Sequence, residues 1–188
     1  IDAGASWNIV LVADYNQIFD IEFKPNDPSI VYAVGFNRFF YSFSNGDTAT
    51  WLSRQIPAVP SQVYSNAATR IAVSAAAPNS VYFAKAVYSA TDSVEAADGA
   101  VFYNDVTING VSPGYTITWG TAKKVKACNV VCNRSGGGRS YGDIYVSQTN
   151  ALNVVISGLE TFASSNGSTT WILKNRVCGV SGEIFHVE

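Results

Sequence analysis

The feature that most constrains this chain is a strand–turn–strand segment that occurs three times with the same internal spacing. In each copy, eleven positions separate a residue of the first predicted strand from one of the second: Ile21 and Tyr32, Ile71 and Tyr82, and Ile144 and Val155. Polar or turn-forming residues lie between the two strands of each copy. Apolar runs on both sides of such a cluster predict a β-hairpin, and their recurrence indicates repeated units.

Four tryptophans mark a second repeated feature. Each ends a string of small polar residues: DAGASW at Trp7, SNGDTATW at Trp51, the degenerate NGVSPGYTITW at Trp119, and SSNGSTTW at Trp171. Such strings predict hairpin turns in which Asp or Asn caps backbone amides, Gly permits a positive φ and Trp anchors the turn on the sheet. The residues assigned to these turns, besides the tryptophans, are Asp2, Gly4, Ser6, Ser44, Thr50, Ser164, Asn166 and Thr170.

Together these features predict an all-β fold of about three complete four-stranded antiparallel units, with partial strands at both ends. Only 14% of the 188 residues are charged, whereas 47% are hydrophobic, which suits sheet surfaces better than helix surfaces. Four-stranded units that recur along a chain suggest β-propeller blades. The expected division is an outer strand at 1–16, blades at 17–66, 67–133 and 134–180, and an inner strand at 181–188, with an insertion in the middle blade.

The charge balance argues against nucleic-acid binding, and the length of the apolar runs argues against a membrane-spanning helix. The formal net charge is −2, and only 12 residues are Lys or Arg. We therefore expect no surface for nucleic acid, which requires a basic field. We also expect no membrane span, because no apolar run reaches the 18 or so residues that a spanning helix needs.

The tryptophan strings resemble the Asp-box, S-x-D-x-G-x-T-W, and the chain is similar to the Asp-box or BNR-repeat β-propellers. That superfamily includes sialidases, xyloglucan-cleaving hydrolases and sortilin-type receptors. The segments FDIEFKPNDPSIVYAVG and RIAVSAAAPNSVYFAK most resemble the large secreted propellers of Bacteroidetes, and EIFHVE resembles a strand that opens a further blade. The resemblance implies a secreted or cell-surface protein and a piece of a larger propeller. An open three-blade unit that is stable alone remains the alternative.

Candidate ligand-binding residues lie on the predicted inner strands. Asp20 and Asp143 precede Ile21 and Ile144 at matching positions, and Arg70 occupies the same position in the unit between them. His186 lies on the last predicted inner strand, where a structural hydrogen bond is favoured over a ligand role.

Comparison with the enzymes of the Asp-box superfamily favours a non-catalytic function for this chain. Xyloglucan-cleaving relatives place a catalytic Asp shortly after the second strand, where this chain reads VGFN, and the three-arginine signature of sialidases is not recognisable. The resemblance thus implies an extracellular binding or scaffolding module that contacts protein or glycan. The alternative is a fragment of a polysaccharide-cleaving propeller glycoside hydrolase.

No cofactor or metal is expected, because the chain has one histidine and three cysteines without a zinc-binding spacing. Cys128 and Cys132 are candidates for a disulfide, with Cys132 and Cys178 as the alternative pair. The strands predicted at 6–13 and 183–187 would expose unpaired backbone groups. The expected partners are therefore the remainder of the propeller or neighbouring copies of the chain.

Overall fold

The fold is described from a computed structural model that covers residues 5–13, 17–35, 37–57, 69–87, 99–109, 116–125, 143–157 and 160–176. These ranges contain thirteen β-strands and no helix, so the all-β prediction is confirmed. Within them, accordingly, no helix has the length and hydropathy needed to cross a membrane.

The strands form three antiparallel sheets, which we call blades 1, 2 and 3. Blade 1 comprises β1 (Asp20–Phe23), β2 (Val31–Val34), β3 (Arg38–Ser42) and β4 (Leu52–Gln55). Blade 2 comprises β5 (Thr69–Val73), β6 (Ser80–Val87), β7 (Gly99–Asn109), β8 (Thr116–Thr118) and β9 (Ala122–Val125). Blade 3 comprises β10 (Asp143–Val146), β11 (Val154–Ser157), β12 (Glu160–Ser164) and β13 (Ile172–Arg176). Within each blade, consecutive strands pair with each other, as in propeller blades, except that β9 pairs with β7 instead of β8.

The first hairpin of every blade has the same register, which explains the constant spacing of the sequence. Ile21 pairs with Ala33, Ile71 with Phe83 and Ile144 with Ile156. The connecting turns also share a hydrogen bond: the N–H groups of Ile30, Ser80 and Asn153 each donate to the carbonyl three residues earlier. One turn geometry therefore sets three hairpins.

Blade 2 differs from the predicted four strands because its outer strand is interrupted. β8 pairs with the end of β7, Thr107 opposite Thr118, and β9 pairs with its beginning, Tyr103 opposite Ala122. Both pairings keep one register, so β8 and β9 are two parts of a strand that breaks at residues 119–121. The break lets the large Trp119 side chain pack into the core against Phe83, with ring centroids 5.2 Å apart.

The blades stack face to face. We call the face that carries Ile71 and Val73 in blade 2, and Ile144 and Val146 in blade 3, the leading face. The opposite face, which carries Tyr32 and Val34 in blade 1 and Ala72 and Tyr82 in blade 2, is the trailing face. Among the described residues, two hydrophobic cores lie where a trailing face meets the leading face of the next blade.

The core between blades 1 and 2 is aromatic. Phe39 on the trailing face of blade 1 meets Phe83 on the leading face of blade 2 edge to face, with centroids 5.0 Å apart and planes at 82°. The core between blades 2 and 3 is built from smaller side chains around Tyr82, among them Ala72, Ala84, Val146 and Val154. Burial of these apolar faces is the main stabilising contribution to the stack.

The ends of the chain are less covered. Residues 5–13, predicted as an outer strand, belong to none of the thirteen strands, and Trp7 is 88% exposed. The predicted inner strand at 181–188 lies outside the described residues.

Candidate functional site at the inner strands

The three inner strands β1, β5 and β10 lie side by side, since β5 contacts both β1 and β10. Asp20, Arg70 and Asp143 each directly precede an isoleucine at the same register position in its blade. The structure therefore brings together three of the four ligand-binding candidates. The fourth, His186, lies outside the described residues.

Asp20 joins blade 1 to blade 2 through its carboxylate. Oδ2 accepts a hydrogen bond from the backbone N–H of Ile71 at 3.0 Å, and Oδ1 accepts from the N–H of Ile21 at 2.9 Å. Burial raises the pKa of Asp20, and the nearby Asp143 adds to this, whereas the two amides and the Arg70 guanidinium oppose it. Both carboxylate oxygens are thus engaged by backbone.

Arg70 makes the return contact from blade 2 to blade 1. Its Nη1 donates to the Phe19 carbonyl oxygen at 2.7 Å, and its guanidinium carbon lies 5.7 Å from the centroid of the Phe19 ring. A hydrogen bond combined with a cation–π contact fixes a guanidinium well. Asp20 and Arg70 therefore form a reciprocal link across one blade interface.

Glu22 lies on the same strand as Asp20, although it is not among the sequence-predicted ligand-binding residues. Burial raises the pKa of Glu22 to about 7, and the negative charges of Asp20 and Asp143 add to the shift. Asp143 itself accepts a hydrogen bond on Oδ1 from the N–H of Ile144 at 2.8 Å. A carboxylic acid with this pKa can exchange a proton near neutral pH.

The opposite ends of the inner strands are joined by a second set of polar contacts, which the sequence did not reveal. Oε1 of Gln148 accepts from the N–H of Ala75 at 2.9 Å, and Nε2 donates to the Val73 carbonyl at 3.0 Å. The hydroxyl of Ser74 donates to the Ser147 carbonyl at 2.7 Å. Blades 2 and 3 are thus joined by their hairpin turns, and blades 1 and 2 by Asp20 and Arg70.

The turn before Trp171 contains three of the predicted turn residues. The Ser164 hydroxyl accepts from the N–H of Ser168 at 2.9 Å and donates to Oδ1 of Asn166 at 3.0 Å. Oδ1 of Asn166 also accepts from the N–H of Thr170, and its Nδ2 donates to the Thr170 hydroxyl at 2.8 Å. Gly167 and Ser168 both have a positive φ.

The turn before Trp51 has the same construction in a register two residues away from the predicted one. The Ser42 hydroxyl accepts from the N–H groups of Ser44 and Gly46, both at 3.2 Å, and lies 2.7 Å from the Thr50 hydroxyl. Asn45 and Gly46 carry the pair of positive φ angles. Ser42 is therefore the counterpart of Ser164, and Ser44, the predicted residue, occupies the position of Asn166.

The tryptophans differ in their surroundings. Trp51 donates from its indole N–H to the Gly46 carbonyl at 3.0 Å, and Trp171 packs on the core between blades 2 and 3. Trp119 directly follows β8, at the break of the outer strand of blade 2, rather than lying at a hairpin turn as predicted. Ser6 and Trp7 are exposed, and Asp2 and Gly4 lie outside the described residues.

Comparisons with known proteins do not assign the chain to a family. No family model matches the sequence, and no curated protein matches it. Among solved structures, the chain is similar to YCF48 from Cyanidioschyzon merolae, with 13% identity and a TM-score of 0.47. The match covers 90% of this chain and 40% of that one, so the chain spans less than half of that protein's length.

The metal and disulfide predictions fall only partly on the described residues. Among the described residues, no group of three or more His, Cys, Asp or Glu side chains is arranged to hold a metal ion. The predicted disulfide residues Cys128 and Cys132, and the alternative Cys178, all lie outside the described ranges.

Proposed function

We propose that this chain is a non-catalytic binding or scaffolding module built from propeller blades. The proposal rests on the hydrogen bonds that the inner-strand side chains make to backbone groups. Asp20 accepts two backbone amides and Arg70 donates to a backbone carbonyl, in both cases joining one blade to the next. Side chains that hold the scaffold in this way are not available to act on a substrate.

We further propose that the turns before Trp51 and Trp171 are Asp-boxes. In support of this, a serine hydroxyl accepts two backbone N–H groups in each turn, and two consecutive residues have a positive φ. Such turns stabilise hairpins and leave the blade edges and loops to contact partners. The expected partners are protein or glycan.

An extracellular location is part of the same proposal. It is supported by the resemblance of the turn strings to those of secreted propellers and by a composition in which only 14% of residues are charged. A cell-surface or secreted module of this kind would work through surface contacts rather than through a reaction.

A second candidate function, a polysaccharide hydrolase, rests on Glu22. A carboxylic acid with a pKa near neutrality is suited to protonate a glycosidic oxygen, and glycoside hydrolysis uses such an acid with a second carboxylate. Asp20 and Asp143 are the neighbouring carboxylates. Their engagement with backbone amides argues against this second function.

Incubation with soluble xyloglucan and pullulan separates the two functions. Reducing ends are measured between pH 5 and 8 for the unmodified protein, Glu22→Gln and a heat-denatured control, and retardation in gels containing each polysaccharide is measured in parallel. We expect no release of reducing ends, and the same retardation for the unmodified protein and Glu22→Gln. Release that is lost in Glu22→Gln would instead establish the hydrolase.

A further inference from the structure

The inner strand of blade 1 has an apolar side on which neither blade 2 nor blade 3 packs. Ile21 is 55% exposed and Phe23 is 57% exposed, although both lie on the leading face. Val31, Ala33 and Phe40, farther out on the same face, are buried. The exposed strip is therefore confined to β1.

The same positions are buried in the other two blades. Ile71 and Val73, the register equivalents in blade 2, are 1% and 9% exposed, and Ile144 and Val146 in blade 3 are also buried. In both cases the covering surface is the trailing face of the preceding blade. The two internal interfaces thus show what kind of surface fits on Ile21 and Phe23.

The chain itself carries a surface of that kind. On the trailing face of blade 3, Tyr145 and Val155 are half-buried and Ile172 is 58% exposed. Their counterparts in blade 2, Ala72 and Tyr82, are buried against the next blade. One end of the stack therefore exposes the β1 strip of a leading face, and the other end exposes part of a trailing face.

We propose that two copies of this chain associate head to tail, with the leading face of β1 in one copy packed on the trailing face of blade 3 in the other. At β1 this interface corresponds to the contact that β5 and β10 each make with the preceding blade. This inference goes beyond the proposed function, because it holds equally for a binding module and for an enzyme.

Such an interface joins two different surfaces, so it either closes into a ring or extends into a filament. The smallest assembly that such contacts can close is a dimer.

Sedimentation velocity of the purified protein over roughly 1–100 µM tests this proposal, a range chosen to span the micromolar affinities of moderate complexes. The variants are Phe23→Lys on the leading face and Ile172→Lys on the trailing face, with Ile21→Lys as a second leading-face variant should Phe23→Lys fail to fold. Leu52→Lys is the matched control, because Leu52 is also an exposed apolar residue but lies on the outer strand β4. Circular dichroism confirms that each variant is folded.

We expect the unmodified protein and Leu52→Lys to form dimers or larger species, and each face variant alone to be monomeric, with at least a tenfold weaker association. An equimolar mixture of Phe23→Lys and Ile172→Lys should form a one-to-one dimer, because one intact leading face then meets one intact trailing face. A monomeric unmodified protein, a monomeric mixture, or an Ile172→Lys variant that assembles normally would each overturn the proposal.

Discussion

The side chain of Asn166 makes several of the hydrogen bonds that hold the turn before Trp171. Its Oδ1 accepts from the Thr170 N–H and the Ser164 hydroxyl, each at 3.0 Å, and its Nδ2 donates to the Thr170 hydroxyl. An aspartate provides the same acceptors, and the Thr170 hydroxyl can donate to it instead. A leucine provides neither acceptor nor donor.

We therefore expect Asn166→Asp to leave the free energy of unfolding nearly unchanged, and Asn166→Leu to lower it by about 1–2 kcal/mol through the lost hydrogen bonds. Urea denaturation followed by tryptophan fluorescence measures both variants. Equal stability of Asn166→Leu and the unmodified protein would show that this turn is not held by the side chain.

Glu22 makes stability depend on pH. Its ordinary pKa is 4.5 and its folded pKa is about 7, so the folded state holds the proton more tightly than the unfolded state. Below about pH 4.5 both states are protonated, and this contribution to stability is fully present. As the pH rises from about 4.5 to 7, the unfolded state ionises first and the contribution is lost.

Glu22→Gln removes this titration. We expect the variant to be more stable than the unmodified protein at pH 8 and to match it more closely at pH 4.5. The free energy of unfolding at several pH values measures the difference. A difference that does not change with pH would mean that Glu22 is not desolvated in the fold.

At the scale of the strands, the same residue type occupies equivalent positions with opposite burial. Ile71 is 1% exposed and Ile21 is 55% exposed, although both pair with the second strand of their blade in the same register. The difference comes from the neighbouring blade and not from the strand itself.

Ile71→Ala should lower the free energy of unfolding by about 2–5 kcal/mol, because it removes buried atoms and leaves a cavity. Ile21→Ala should cost less than about 1 kcal/mol when measured at a protein concentration below that of association, as is usual for exposed positions. Similar losses at the two positions would mean that β1 is covered in the monomer.

The hairpins were predictable because their signals are local. The turn residues between Ile21 and Tyr32 lie within one stretch of sequence, and period-two apolar patterns assign the strands on both sides. The register of the turn before Trp51 was not predicted, because residues 48 and 49 are inserted relative to the turn before Trp171 and Ala49 takes a positive φ. Counting back from the tryptophan therefore leads to Ser44 instead of Ser42.

The inner-strand cluster was predictable only in part. Equivalent positions in repeated hairpins place Asp20, Arg70 and Asp143 at one level, and the structure brings them together there. The partners of these side chains are backbone groups, such as the N–H of Ile71 and the carbonyl of Phe19. Backbone partners leave no signature in a sequence, so the structural role of the cluster emerged only from the fold.

For the molecule as a whole, the blades are joined by apolar faces and by a few polar contacts at the inner strands. The Asp20 carboxylate is the contact on which both the stack and the non-catalytic interpretation depend. Its removal leaves the N–H groups of Ile21 and Ile71 without the acceptor they use in the fold.

The most direct test is the free energy of unfolding of Asp20→Ala at pH 7, with Asp47→Ala as the control at an exposed aspartate. We expect Asp20→Ala to lose about 1–3 kcal/mol, because the part-buried N–H of Ile71 and the N–H of Ile21 lose their hydrogen bonds to the carboxylate. Asp47→Ala should change stability by no more than about 0.5 kcal/mol. An Asp20→Ala variant as stable as the unmodified protein, or more stable, would contradict the structural role of this carboxylate and favour a catalytic one.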